Sequence, residues 1–151
     1  MENGHWEFPL EFDSEDWFGF IYRITELSTG RMYLGKKQFH RHLTKAVPGK
    51  KNRKHFTKPS DWKKYTGSSV ELNKAIELNG KENYKFEIMS LHQMKGSLHY
   101  AEIEILVMED ALRARFDNGL RKYYNGQISA VKFYPANPTE KELKFNMSYF
   151  K

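Results

Sequence analysis

The sequence predicts an α+β domain in which a small three-stranded antiparallel sheet is flanked by helices. Three observations predict it. Two alternating runs, 18–25 and 31–36, face each other across Ser28-Thr29-Gly30. Two segments, opening near Ser68 and Ser97, carry apolar residues at helical spacing. A third alternating run, 84–88, lies between those segments. The order strand, strand, helix, strand, helix gives one sheet with helices packed on it.

The elements follow in chain order. Residues 1–17 form an acidic, aromatic arm in which Trp6, Phe8, Leu10 and Phe12 alternate with polar residues and Pro9, suited to an edge strand or a strap on the domain. In the first strand Phe18, Phe20, Tyr22 and Ile24 share a face, and the second returns over 31–36. Residues 38–66 form a basic insertion. Its 38–60 part shows no period and contains Pro48-Gly49 and Pro59, which reads as a long loop or a short broken helix. Ser68 with Glu71 makes a capping box for a helix with Leu72, Ala75 and Ile76 on its buried stripe, ended by Asn79-Gly80. Tyr84, Phe86 and Ile88 give the third strand. Ser97 caps a second helix carrying Leu98, Ala101, Ile105, Met108, Leu112 and Phe116, ended by Asn118-Gly119. The 127–151 extension adds a strand over 129–134 before Pro135 and Pro138, then a short amphipathic end. The core domain spans 18–126.

Composition narrows the classes. The chain of 151 residues suits one domain. It has no cysteine, which excludes disulfides and thiolate metal sites, and no apolar run long enough for a bilayer. The N-terminus is acidic where a secretory signal would be basic, so a soluble, cytoplasmic protein with no membrane partner is expected. The net charge of +6 and pI near 9.4 favour an anionic partner. Their distribution says more. Lys36, Lys37, Arg41, Lys45, Lys50, Lys51, Arg53, Lys54, Lys58, Lys63 and Lys64 stand against Asp61 alone, interleaved with His40, His42, His55, Trp62 and Tyr65. Such a stretch follows a phosphate backbone, although a charge run is often only a solvated face.

Residues able to carry chemistry each have a plain structural alternative. Tyr22 and Tyr33 fit a half-buried sheet surface without any catalytic role. A phenol ionises near pH ~10, so a working one needs positive neighbours, and Lys36 and Lys37 follow closely in sequence. Glu102 and Glu104 fall on opposite flanks of the second helix's stripe, and periodicity does not choose between them. A lone carboxylate suffices for Mg²⁺, which keeps several waters. The histidines lack zinc spacing, and no phosphate-binding loop, dinucleotide fingerprint or serine elbow is present.

The motifs together resemble the GIY-YIG nuclease superfamily, over about residues 18–126. Phe20-Ile21-Tyr22, with Gly19 one position early, and Tyr33-Leu34-Gly35 match the two name-giving motifs. The closest likeness is to small phage-type endonucleases carrying YIGKK, W-K-x-Y-x-G-S-S and YxE. Here these read Tyr33-Leu34-Gly35-Lys36-Lys37, then Trp62-Lys63-Lys64-Tyr65-Thr66-Gly67-Ser68-Ser69, then Tyr100-Ala101-Glu102. Asn125 matches the family's late asparagine. The resemblance implies an endonuclease or nickase, of phage type, acting on DNA, double-stranded rather than single-stranded. Glu102 would hold Mg²⁺ or Mn²⁺, Tyr22 would be general base on the attacking water, and Tyr33 would bind that water or the phosphate. Lys36, Lys37 or Arg41 would stabilise charge, and Asn125 would order the site. Lys45, Lys50, Lys51, Arg53, Lys54, Lys63, Lys64, Ser68 and Ser69 would contact nucleic acid. The family's arginine after the second motif has no ungapped counterpart; Arg41 is nearest. That departure motivates a rival, a non-catalytic nucleic-acid-binding protein on the same scaffold. A third reading uses the acidic arm as a contact surface or a shield over the basic loop. A monomer would nick, whereas a homo-oligomer could cut both strands.

Overall fold

The structure, a computed structural model, describes residues 2–146. Its central sheet has strands β1 (Gly19–Glu26), β2 (Met32–Gln38) and β5 (Tyr84–His92), in the order β2-β1-β5, antiparallel throughout. Between β2 and β5 come a separate two-stranded ribbon, β3 (His40–Lys45) with β4 (Lys54–Pro59), and helix α1 (Val70–Asn79). Helices α2 (Lys95–Met108) and α3 (Glu140–Asn146) follow β5.

Alternation along β1 builds two cores. Phe20, Tyr22 and Ile24 pack with Trp6, Trp17, Phe39, Trp62 and Leu72, beneath the N-terminal arm and α1. Ile21 points the other way, to Leu98, Ala101 and Ile105 of α2. A bulge on β5 interrupts the pairing: Ile21 lies opposite Ser90 and Tyr22 opposite Ile88, leaving Met89 as the extra residue.

Both sheet edges are sealed, and side chains finish the work that backbone begins. On the β2 edge, Met32 N–H donates to Lys122 C=O and Tyr124 N–H to Met32 C=O. Two residues on, the Asn125 amide takes over: Leu34 N–H donates to its Oδ1 at 3.0 Å, and its Nδ2 donates to Leu34 C=O at 2.7 Å. On the β5 edge, Glu7 N–H donates to Phe86 C=O and Ile88 N–H to Glu7 C=O. Beyond the bulge, Asn146 serves Leu91 with bonds of 2.9 and 2.7 Å, and Gln93 N–H donates to the Glu142 carboxylate. An asparagine amide reproduces the donor–acceptor pair of a peptide, so it continues the backbone pairing along each edge.

Several expectations are corrected. The 38–60 stretch is the β3–β4 ribbon, not a loop or broken helix. Ser69, not Ser68, caps α1, its Oγ accepting Leu72 N–H. The second helix starts at Lys95 without a side-chain cap and stops at Met108, well before Phe116. Asp110 takes the left-handed conformation (φ 51°), and Ala111 N–H reaches back to Leu106 C=O, closing the helix with the motif that glycine usually supplies. Asn118-Gly119 instead turns a small hairpin, in which Phe116 N–H donates to Leu120 C=O. Residues 129–134 form no strand, and Phe18 packs with the α2 core rather than with Phe20. The arm's Trp6 is buried in the main core, with Phe8 and Phe12 packed on it, so its aromatic residues are not a free contact surface.

Asn146→Ala leaves the N–H and C=O of fully buried Leu91 unpaired, so we expect it to cost about 1–3 kcal/mol in urea unfolding. An unchanged unfolding midpoint would show that α3 does not seal this edge.

Candidate active site

The hairpin register brings the two tyrosines together, and two glycines make room for them. Tyr22 lies opposite Gly35, where an added Cβ would come 2.4 Å from the Tyr22 oxygen. Gly67, at φ 85°, approaches Tyr33 and Tyr22 so closely that a Cβ would meet them at 3.0 and 3.3 Å. The segment before α1 is held over the tyrosines by Asn73, whose amide donates to Gly67 and Ser69 C=O. Tyr33 and Ser68 hydroxyls are then hydrogen-bonded at 3.1 Å. Tyr65 stands edge-on to Tyr22, with ring centroids 6.0 Å apart.

Charge at this cluster is uneven. Tyr22 is 1% exposed, and burial holds its phenol pKa well above the ordinary value, aided by Tyr33, Tyr65 and Glu102 nearby. The Tyr65 phenol is raised too, by burial first and then Tyr33, while bonds with Ser68 and Tyr22 work the other way. Glu102 is half-buried on α2, and burial raises its carboxyl pKa against the pull of Lys36, His99 and the Lys36 backbone N–H. The carboxylate thus stands at the next outward-facing position of β2, following Met32 and Leu34.

Glu102 and Glu104, equivalent on a helical wheel, part company here. Glu102 stands by the Lys36 backbone N–H, near enough to Tyr22 to add to the rise in its phenol pKa, whereas Glu104 lines a separate cavity of about 190 Å³ with His92, Ser97, Tyr100 and Glu142. Lys36 Nζ donates to His99 Nδ1 at 2.8 Å. Lys37 pairs with Asp61 at 2.8 Å and lies 4.0 Å over the Tyr65 ring. Arg41 is exposed at the foot of β3, in a hollow shared with Lys36, Lys37 and His40. Asn125 stays out of the cluster and holds the backbone of Leu34, between Tyr33 and Gly35.

The remaining basic candidates lie elsewhere. Lys45 and Lys54 pair across the ribbon, Lys50, Lys51 and Arg53 occupy its tip, and Lys63 and Lys64 belong to a 3-10 turn at Trp62–Lys64. The Ser69 hydroxyl is committed to the α1 cap. Two residues of the cluster were not singled out from sequence. Tyr65 was visible as an aromatic of the basic stretch and as a position of the W-K-x-Y-x-G-S-S motif, without a role, and His99 sits three residues before Glu102, on the same helix face.

Among the described residues no group of three or more His, Asp or Glu side chains converges to cage a metal. The donor set, one carboxylate beside several hydroxyls, fits an ion that retains most of its waters and does not fit zinc.

The sheet thus brings Tyr22 and Tyr33 together, with the Glu102 carboxylate beside Lys36 at the edge of β2. The family model described as "Putative endonuclease segE, GIY-YIG domain" matches residues 4–128, and the chain belongs to that GIY-YIG family. It is therefore a nuclease, a phosphodiester hydrolase whose substrate is nucleic acid; such nucleases generally use divalent metals. No curated protein and no solved structure matches the chain. No helix among the described residues is long and apolar enough to cross a membrane.

The raised Glu102 pKa carries a sign. A carboxyl whose folded pKa exceeds its unfolded one favours the fold when protonated, and the ionised group weakens the fold as pH rises through that value. Glu102→Gln should therefore raise the thermal midpoint at neutral pH. A lowered midpoint would mean that Lys36 and His99 outweigh the burial.

Proposed function

We propose a metal-dependent DNA endonuclease or nickase that hydrolyses phosphodiester bonds around Tyr22, Tyr33 and Glu102. The observation that supports this reading is the packing of Tyr22 and Tyr33 together around Gly35 and Gly67, with Glu102 near enough to help raise the Tyr22 phenol. Glu102 would hold Mg²⁺ or Mn²⁺. Bound there, the ion would contact the scissile phosphate, offset its growing charge and make the neighbouring phenol easier to ionise.

The chain's own groups do the rest. Tyr22 as phenolate takes the proton of the attacking water, and Tyr33, less buried and bonded to Ser68, orients that water or the phosphate. Tyr65 packs edge-on against the Tyr22 ring. Lys36 and Lys37 supply positive charge, with Arg41 at the edge of the same hollow. Asn125 keeps the Tyr33–Gly35 backbone in register. Duplex DNA is the favoured substrate, and a single site per chain nicks unless two chains pair.

One observation favours the rival, a binding protein on this scaffold. The cations nearest the tyrosines are lysines, each with a partner, and a lysine is a poorer bidentate phosphate clamp than arginine. Supercoiled plasmid incubated with Mg²⁺, Mn²⁺ or EDTA separates the two. We expect metal-dependent nicking by the wild type, and a loss of at least about 100-fold in Glu102→Ala with DNA affinity kept within a few-fold. Intact plasmid under every condition, together with a gel shift, would establish the rival.

The raised Tyr22 pKa adds a second prediction. Below its pKa the phenolate fraction grows about tenfold per pH unit, so the cleavage rate should climb from pH ~7.5 to ~9.5. Tyr22→Phe should abolish both rate and slope. A flat wild-type profile would contradict a phenolate base.

A further inference from the structure

The ribbon β3–β4 stands outside both cores: no residue in 41–59 is buried. Over 40–59 it carries seven Lys and Arg residues, with no Asp or Glu. An isolated two-stranded ribbon has little to hold it in water, and like charges directly opposite each other weaken it further. Yet the register places Arg41 opposite Lys58 and Lys45 opposite Lys54, with Leu43 opposite Phe56 between them. All six share one face, because residues two apart on a strand point the same way. None of these four cations has an ion pair among the described residues. The opposite face differs: His42 Nε2 and His55 Nδ1 lie 3.1 Å apart with rings stacked, flanked by Thr44 and Thr57.

We propose that the charged face of this ribbon enters the major groove of a DNA duplex and holds both walls at once. The inference rests on the nuclease reading above and deepens it. A two-stranded ribbon fits the major groove, which is about 12 Å wide. Along such a ribbon, each cross-strand pair offers one cation to each phosphate wall. Arg41 and Lys45 reach one strand of the duplex, and Lys58 and Lys54 reach the other. Attraction to the phosphates would draw the long side chains outward, toward the walls, Lys58 from its place over the Phe56 ring. Leu43 and Phe56 face the floor, where thymine methyl groups are the apolar feature. An acid at any of the four positions would set a carboxylate against phosphate, so the pairing that weakens the free ribbon suits this partner.

The ribbon is also aimed at the site. β2 runs into β3 through buried Phe39, and the foot is pinned by Ser60, whose N–H donates to Phe39 C=O and whose Oγ donates to Gln38 C=O. The hollow at this foot is lined by Lys36, Lys37, His40 and Arg41. Lys36 and Arg41 thus carry positive charge from the ribbon face toward the tyrosine cluster, with Lys37 paired to Asp61 and His40 to Glu15 beside them, and a duplex gripped by the ribbon reaches the cluster.

Binding in EDTA, where no cleavage interferes, tests this with a short labelled duplex and its single strand over a salt series. The Lys45→Gln/Lys54→Gln variant should bind duplex at least about tenfold more weakly at low salt, and its slope of log affinity against log salt should fall by about two. Its thermal midpoint should not drop, since a repulsive pair has been removed. His42→Gln/Thr57→Val, on the other face, should bind as the wild type does. Wild-type protein should shield guanine N7, a major-groove atom, from methylation. Wild-type affinity in the Lys45→Gln/Lys54→Gln variant, or unshielded N7 under bound protein, would overturn the proposal. If the wild type cuts plasmid while that variant binds normally, only the ribbon assignment falls. If the wild type binds no duplex at all, the DNA nuclease reading falls with it.

Discussion

Everything in this protein depends on how a three-stranded sheet disposes of its two open edges. Each edge strand presents outward N–H and C=O groups that must be paired once they are buried. Both edges reach the same solution in the same order. A short backbone bridge comes first, from residues 122–124 on one side and from Glu7 on the other. An asparagine amide then stands in for a peptide, Asn125 or Asn146. A glutamate closes the row, Glu102 beside Lys36 N–H and Glu142 on Gln93 N–H. The bulge at Met89 shifts the outward positions of β5 by one residue, so that Leu91 and Gln93 meet α3.

On the β2 side this sealing is also the construction of the site. Asn125 fixes Leu34, which fixes Tyr33 and Gly35 on either side, and Gly35 leaves the space that the Tyr22 hydroxyl fills. Asn125 is itself held by its surroundings. The Tyr124 hydroxyl donates to Glu26 at 2.8 Å, the Arg31 guanidinium lies 3.8 Å over the Tyr124 ring, and Arg121 donates to Asn125 C=O. Glu102 stands where the row ends, half-buried, with its pKa raised. The cost of holding the Glu102 carboxylate there is desolvation, against which Lys36 and His99 pull.

What was legible in the sequence was whatever burial writes as a period. The first hairpin, α1 with Gly80 and the start of β5 all alternate or repeat because one face is apolar and packed. The ribbon was not legible, because its alternation is one of charge against histidine and threonine, with Leu43 and Phe56 as its only cross-strand apolar pair. The end of α2 was missed because Asp110, not glycine, takes the left-handed position. The strand expected over 129–134 had a fitting pattern but no edge to join, since both were already sealed. Periodicity did not separate Glu102 from Glu104, because what distinguishes them is tertiary: Lys36 N–H meets Glu102. The family motifs pointed to Tyr22, Tyr33 and Glu102, but not to the Tyr33–Ser68 bond or to the packing of Tyr65 on Tyr22.

The central claim is that one amide joins the fold to the chemistry. Plasmid cleavage by Asn125→Ala, measured under conditions where both variant and wild type remain fully folded, tests it directly. The account predicts that the folded variant cuts far more slowly than wild type, because Tyr33 and Gly35 lose their register against Tyr22. Cleavage at the wild-type rate would contradict it, and would make Asn125 a structural seal with no part in the site.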